Sequence, residues 1–159
     1  MSSTEASTAG STDPTEPGTV DMKLEVVTLP VSDVDRSKDF YGRIGWRLDA
    51  DLMLGEGMRT VQFTPPHSQC SIHFGTGLTK AAPGSADRLI LAVEDIEAAR
   101  NELIARGVDV SEVLDRRPPG ADAEQGRSYF VFASFSDPDG NTWLMQEITT
   151  RLPGREWED

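Results

Sequence analysis

Two side chains in otherwise apolar segments are candidates for chemistry. His73 lies within CSIHF (70–74), and Arg88 begins RLILAV (88–93). An imidazole changes charge near neutral pH, so His73 can act as a base, a ligand contact or a satisfied polar core residue. A guanidinium stays charged and can hold a carboxylate or an enolate oxygen through two hydrogen bonds. We therefore take His73 and Arg88 as candidate catalytic residues, provided that the fold brings both into one cavity.

The other reactive side chains fit simpler roles. The single cysteine, Cys70, excludes an internal disulfide and a zinc site made of several thiolates. His67 lies in TPPHSQ, a loop that we expect to be exposed to solvent. Asp137 and Asp139 belong to the tight-turn sequence DPDG, and too few acidic residues follow them for a calcium loop.

An internal repeat organises the elements that must position these residues. VSDVDRSKDFYGRIG (31–45) and VEDIEAARNELIARG (93–107) share Val, Asp and Gly at positions 62 residues apart. Both segments read as helices with acidic first turns, and Ser32 is a candidate N-cap of the first. Gly45 and Gly107 suit the left-handed residue that ends a helix. The repeat predicts two similar halves.

One apolar strand precedes each predicted helix, and three follow it. The predicted strands cover residues 23–31, 46–54, 59–64 and 70–74 in the first half, and residues 88–93, 109–115, 128–135 and 142–148 in the second. RRPPGADAEQG (116–126) reads as a loop. This order predicts an α+β fold of two βαβββ modules, about 22–78 and 86–149, in which two cupped mixed sheets surround a central cavity.

Composition sets the limits of the domain and its partners. The 159 residues carry 27 acidic and 15 basic side chains, a formal charge of −12 without a basic cluster. This balance excludes nucleic acid and anionic membranes as partners, and no apolar run reaches the about 20 residues of a membrane span. Residues 1–21 are rich in Ser, Thr, Gly, Pro and acid, which predicts a disordered tail without a signal peptide. We expect a cytoplasmic protein with one domain at 22–150 and a C-terminal tail at 151–159.

The doubled βαβββ unit, the V-x-D that opens each helix, FYGRIGW (40–46) and DPDGN (137–141) together resemble the vicinal oxygen chelate superfamily. That superfamily includes glyoxalase I, bleomycin-resistance, fosfomycin-resistance and extradiol dioxygenase proteins. The likeness spans about residues 23–149. It implies the cupped-sheet fold and, because members commonly pair modules within or between chains, a homodimer.

In metal-dependent members of that superfamily, His, Glu, His and Glu or Gln hold a divalent ion. The matching positions here are Val26, His73, Arg88 and Leu144. Only His73 can bind a metal, because Val and Leu lack donor atoms and Arg stays protonated. The resemblance therefore implies that this chain holds no metal at the family site, and we expect no other cofactor.

Three functions remain compatible with the sequence. One is a binding protein of the bleomycin-resistance type that holds a small organic molecule, anionic or antibiotic-like, without metal. The second is a metal-independent lyase or isomerase that uses His73 as base and Arg88 as anion stabiliser. The third is a glyoxalase or dioxygenase with nonstandard metal ligands. The resemblance implies that Val26, His73, Arg88 and Leu144 face the cavity. Strand alternation agrees with this register and adds three predicted ligand-binding residues: Gln62, Ser71 and Gln146.

Overall fold

The computed structural model describes residues 16–120 and 125–157 as two modules with the same order of elements. The first module contains β1 (Val26–Thr28), α1 (Val34–Arg43), β2 (Arg47–Met53), β3 (Arg59–Thr64) and β4 (Ser71–Gly75). The second contains β5 (Leu89–Val93), α2 (Ile96–Ala105), β6 (Leu114–Asp115), a short 3₁₀ helix (Gln125–Arg127), β7 (Val131–Ser136) and β8 (Thr142–Glu147). Residues 1–15 of the predicted tail, 121–124 of the predicted loop and 158–159 lie outside the described residues.

Each module forms one four-stranded mixed sheet. Sheet A has the order β1-β4-β3-β2 and sheet B the order β5-β8-β7-β6. The β1–β4 and β5–β8 pairs are parallel, and the remaining pairs are antiparallel. This topology confirms the predicted α+β fold of two βαβββ modules. No helix among the described residues is long and apolar enough to cross a membrane.

The two helices begin in nearly identical ways. Asp33 caps α1 with φ −140° and ψ 105°, and Asp95 caps α2 with φ −137° and ψ 104°. Each carboxylate accepts a 3.0 Å hydrogen bond from the backbone N–H three residues later. The expectation that Ser32 caps the first helix is wrong, because the Ser32 hydroxyl donates instead to Asp139 of the β7–β8 turn. Gly45 and Gly107 have φ of 93° and 88°, which confirms the left-handed residue after each helix.

Two strands, β1 and β6, are much shorter than the sequence predicts, and β7 begins at Val131 rather than at residue 128. β1 covers only Val26–Thr28, and the chain leaves the sheet just before Pro30, which has no backbone N–H to donate. β6 covers only Leu114–Asp115 because the pairing with β7 is broken at Ser111. There the Ser111 side-chain oxygen, rather than a carbonyl, accepts from the Ser134 N–H at 2.9 Å.

One apolar core lies between the modules and is shared by both. The Tyr41 ring on α1 lies 5.8 Å from Phe74 of sheet A and 6.3 Å from Trp143 of sheet B, measured between ring centroids. The face of each sheet that contacts this core, the inner face, carries its buried side chains. These are Val61, Phe63, Ile72 and Phe74 in sheet A, and Val131, Ala133, Phe135, Trp143 and Met145 in sheet B. The strand alternation predicted for β4 and β8 is confirmed.

Buried hydrogen bonds fix the orientation of one module on the other. The Tyr41 hydroxyl donates to Asp137 at 2.8 Å and accepts from the Trp143 indole N–H at 2.9 Å. The Asn141 amide donates to Asp137 and to the Pro30 carbonyl, each at 2.9 Å. Burial and the nearby Asp137 raise the pKa of the Tyr41 phenol well above its usual range. Asp137 therefore joins the modules as well as forming a turn.

The opposite face of each sheet, the open face, points away from the shared core. Large apolar side chains lie uncovered there, including Leu52 on β2 (51% exposed) and Ile90 on β5 (52% exposed). A single copy therefore leaves much of both open faces accessible to solvent, although Thr64 and Ser71 of sheet A are buried. Two pockets among the described residues lie mainly along the shared core. One, of about 400 Å³, is lined by Phe40, Val108 and Phe135 and reaches Ser134 and Thr142 of sheet B. The other, of about 200 Å³, lies beside Trp46 and Leu91 and reaches Ala92.

An ion pair at the end of β8 makes the stability of sheet B depend on pH. The Arg127 guanidinium donates to Glu147 at 2.7 Å, and the other Glu147 oxygen accepts from the Ile96 N–H at the start of α2. These bonds, chiefly the one from Arg127, hold the pKa of the Glu147 carboxyl below its usual value.

We expect the contribution of Glu147 to the free energy of unfolding to be complete above about pH 4.5, its pKa in the unfolded chain. The contribution should be lost as the pH falls through the lower pKa of the folded protein. Glu147→Gln should reduce the free energy of unfolding at neutral pH by about 1–3 kcal/mol and flatten its fall in acid. Urea unfolding across this pH range measures both effects. An unchanged acid dependence in the variant would assign the pH effect to other carboxylates.

Candidate functional site

The open face of sheet A carries three of the polar side chains that were predicted to contact a ligand: Gln62, Ser71 and His73. Val26 pairs with Ser71, and Thr28 pairs with His73 across the parallel β1–β4 ladder. Gln62 pairs with His73 on the other side. Because paired residues share a face, Thr28, His73 and Gln62 form one row across three strands. The sheet therefore brings four of the predicted site residues together.

His73 is neutral and held in place within this row. Its Nε2 lies 2.6 Å from the Thr28 hydroxyl oxygen, and the side chain is half-buried. Burial lowers the pKa of the imidazole below its ordinary value of 6.5. At neutral pH the ring can accept or donate one hydrogen bond, according to its tautomer.

A second polar group lies beside His73 and contains a carboxylate that the sequence analysis missed. The Thr64 and Ser71 hydroxyl oxygens are 2.6 Å apart, and the Thr64 hydroxyl also donates to Asp49. Gln62 Nε2 donates to the same carboxylate at 3.5 Å. The hydrogen bond from Arg47 is the main reason why the pKa of Asp49 is lowered. The carboxylate is therefore ionised at neutral pH, and its ion pair with Arg47 at 2.6 Å makes it a hydrogen-bond acceptor without a net charge at this end of the face.

A β-bulge explains why Asp49 was missed. The pairing between β2 and β3 shifts between Leu48 and Ala50, so Asp49 occupies the irregular position. Strict alternation would place Asp49 on the face opposite to Ala50, whereas its carboxylate reaches Thr64 and Gln62 on the open face. No pattern in the sequence reveals a bulge at this point, since it adds one residue without a glycine or proline.

The open face of sheet B is mainly apolar. Leu144 pairs with Ile90 on one side and with Ser134 on the other. Gln146 pairs with Ala92 and Phe132, and its Nε2 donates to the Tyr129 carbonyl at 2.9 Å. The two remaining sequence-predicted residues of β8, Leu144 and Gln146, therefore share this face. Its chemistry complements the polar face of sheet A.

Arg88 lies outside the paired residues of both open faces. It is exposed, directly precedes β5 and has a left-handed backbone with φ of 64°. Its N–H donates to the Thr142 hydroxyl at 2.7 Å, and within residues 16–120 and 125–157 its side chain makes no hydrogen bond or ion pair. The strand alternation from which an inward Arg88 was inferred does not extend through a left-handed residue. Neither pocket is lined by His73 or Arg88, so their convergence stays a prediction.

The four positions that match a family metal site do not fit a metal. Val26 and Leu144 offer no donor atom, and the guanidinium of Arg88 would repel a cation. Across the described parts of the chain, no group of three or more His, Cys, Asp or Glu side chains could hold a metal ion. His73 alone cannot form a site, and its Nε2 already contacts Thr28.

Comparison with known proteins gives a match over both modules. A family model described as the Glyoxalase/Bleomycin resistance protein/Dioxygenase superfamily matches residues 23–145. This range extends from just before β1 into β8. The search of the curated proteins found no significant match.

Solved structures with a similar fold include two from Streptomyces sp. CB03234. TnmS3, an antibiotic binding protein, is 28% identical, with a TM-score of 0.64 over 83% of this chain and 100% of that chain. A glyoxalase/bleomycin resistance protein is 30% identical, with a TM-score of 0.60 over 78% of this chain and 99% of that chain. A superfamily member from Sphaerobacter thermophilus DSM 20745 is 27% identical, with a TM-score of 0.60 over 79% and 97% of the two chains. The likeness therefore spans nearly the full length of these proteins.

Proposed function

Because the chain belongs to the glyoxalase/bleomycin resistance protein/dioxygenase superfamily, we propose that it binds a small organic molecule. The molecule would lie between the open face of sheet A in one copy of the chain and the open face of sheet B in another copy. The observation that carries this proposal is the contrast between two uncovered faces: that of sheet A carries the polar group around His73, and that of sheet B is mainly apolar. A cavity with apolar walls and a few placed polar groups is the usual form of a small-molecule site. The similarity to an antibiotic binding protein supports a ligand of that general kind.

A second copy of the chain is proposed to complete this cavity. In one copy both inner faces pack on the shared core, so each open face needs a cover from outside. Exposed apolar side chains cluster on both of them and on the β2–β3 hairpin: Leu52, Leu54, Met58, Ile90, Leu114 and Phe130. Contiguous exposed apolar patches of this kind mark interaction sites in soluble proteins. A two-fold homodimer that places sheet A of one copy over sheet B of its partner would create two equivalent cavities.

The ligand would contact different chemistry on its two sides. Ile90, Ala92 and Leu144 of sheet B would form an apolar wall. On sheet A, the neutral His73 and the Gln62 amide would offer hydrogen bonds. The Asp49 carboxylate would accept from donors of the ligand. Arg88, at the start of sheet B, remains a proposed contact for an anionic group.

An enzymatic alternative rests on one further observation. The Nε2 of the neutral His73 lies 2.6 Å from the Thr28 hydroxyl oxygen. In the tautomer in which Nε2–H donates to that oxygen, Nδ1 carries no proton and is able to accept one. In a metal-independent lyase or isomerase, His73 would take the proton from substrate. His73→Ala should then abolish turnover of an identified ligand while leaving its binding nearly intact. Loss of binding without any turnover in the native protein would favour the binding protein.

The proposed function is tested with an uncharged aromatic dye, N-phenylnaphthylamine, whose fluorescence rises in apolar cavities. We expect saturable binding at about one dye per chain, since each dimer has two equivalent cavities. Ala92→Trp fills the cavity from sheet B and should weaken binding by about tenfold or more, which is the scale for overfilling a packed site. Ala98→Trp adds the same ring to the exposed side of α2 and should leave binding unchanged. Equal effects of both variants, or no saturable binding, would contradict the proposal.

A further inference from the structure

A guanidinium at the start of the C-terminal tail is buried without hydrogen-bond acceptors. Nε and Nη1 of Arg151 are both inaccessible to solvent, and neither has a partner among the described residues. The ring centroid of Trp157 lies 3.8 Å from the central carbon of this group. A ring stacked on a guanidinium stabilises its charge, but the N–H donors lie in the plane of the group and stay unpaired. Leaving a buried donor without an acceptor costs free energy, and the cost is larger when the donor carries a charge.

Two hydrogen bonds connect the start of the C-terminal tail with the open face of sheet B. The Gln146 side chain on that face donates to the Tyr129 carbonyl at 2.9 Å. The Tyr129 hydroxyl in turn accepts from the Leu152 N–H at 3.1 Å. Leu152 directly follows Arg151, so the tail starts beside the apolar face. Tyr129 has a left-handed φ of 74°, a conformation that non-glycine residues adopt mainly where the surrounding contacts fix them.

A tight turn returns the tail over the guanidinium. The Arg155 N–H donates to the Leu152 carbonyl at 2.9 Å, and Gly154 has a left-handed φ of 82°, which a glycine adopts without strain. This reversal brings Trp157 onto Arg151. Trp157 remains 61% exposed, whereas Trp46 and Trp143 are core residues. The indole thus covers one side of the guanidinium and presents its other surface outward.

We propose that Arg151 binds an acidic group of the ligand, a carboxylate, sulfonate or enolate oxygen, while Trp157 holds the guanidinium in position. An oxygen in the plane of the guanidinium would satisfy donors that residues 16–120 and 125–157 leave unpaired. The ligand class follows from the two neighbouring surfaces: an aromatic body for the apolar face of sheet B and one acidic group for Arg151. This inference rests on the proposed function, because the ligand must occupy the open face to reach the tail.

The test uses two dyes with the same aromatic rings. Anilinonaphthalenesulfonate carries an acidic group, and N-phenylnaphthylamine does not. Arg151→Met should weaken binding of the sulfonate dye by about tenfold, as for a lost charged hydrogen bond, and should change binding of the uncharged dye by less than about twofold. Trp157→Leu should weaken the sulfonate dye by a smaller factor. Arg155→Met, which removes an exposed charge from the same tail, is the matched control.

Binding of the uncharged dye also shows that each variant is folded, and Arg151→Lys provides a second variant that keeps the charge but loses the planar group. The inference is overturned if the native protein does not bind the sulfonate dye, if Arg151→Met leaves its affinity unchanged, or if Arg155→Met has the same effect. Failure of the proposed function is a different result: in that case the uncharged dye shows no saturable binding to the native protein.

Discussion

Replacement of Ile90 by glutamate should convert the proposed dimer into a monomer and abolish binding of N-phenylnaphthylamine. Ile90 is 52% exposed in one chain and lies on the apolar open face beside Leu144. In the proposed dimer the new carboxylate would lose water against the partner without gaining a counter-ion. We expect the dimer dissociation constant to rise by more than about a hundredfold, since burying an unpaired charge costs several kcal/mol. Sedimentation equilibrium measures this change.

The control for this prediction is the same substitution at another exposed isoleucine. Ile104 lies on α2, away from both open faces, and is exposed to a similar degree. Ile104→Glu should leave the association state and dye binding unchanged. A native protein that sediments as a monomer, or an Ile90→Glu variant that stays dimeric, would refute the proposed pairing of the open faces.

Asp137→Ala should lower the free energy of unfolding by about 3–5 kcal/mol, because several buried donors would lose their acceptor at once. The Asp137 carboxylate accepts from the Tyr41 hydroxyl, the Asn141 amide, and the N–H groups of Asp139 and Asn141, at 2.8–2.9 Å. These bonds join α1 of the first module to the β7–β8 turn of the second. Denaturant unfolding measures the loss.

A matched control lies on the same helix as Tyr41. Asp39 is exposed on α1, and Asp39→Ala should change stability by no more than about 0.5 kcal/mol. Tyr41→Phe removes only one of the bonds to Asp137 and should fall between the two variants. An Asp137→Ala protein as stable as Asp39→Ala would show that this network does not hold the modules together.

The sequence was most informative where a pattern repeats. The 62-residue repeat predicted the doubled fold, because Asp33 and Asp95 cap the helices alike and Gly45 and Gly107 end them alike. Alternation along β4 correctly separated His73 on the open face from Ile72 and Phe74 in the core. Periodicity reports such features because it reflects burial on one face of an element.

The features that the sequence did not reveal are local departures from periodicity. The bulge at Asp49 adds one residue to a strand, and the left-handed Arg88 interrupts the alternation that was used to place its side chain. The Arg151–Trp157 contact depends on a turn in the C-terminal tail, and neither residue belongs to a repeating pattern in the sequence. The packing of both inner faces on one shared core depends on contacts between the two modules. The same modules could instead pair through their other faces, so strand periodicity does not predict which faces meet.

The most direct test of the composite cavity mixes two variants that are blocked on different sheets. Gln62→Trp obstructs the open face of sheet A, and Ala92→Trp obstructs that of sheet B, so neither homodimer should bind N-phenylnaphthylamine. After subunit exchange, half of the dimers would be mixed, and each would contain one cavity made from two native faces. We therefore predict that an equimolar mixture regains about a quarter of the native binding capacity. A mixture that still does not bind the dye would show that each cavity belongs to a single chain, and would contradict the proposed pairing.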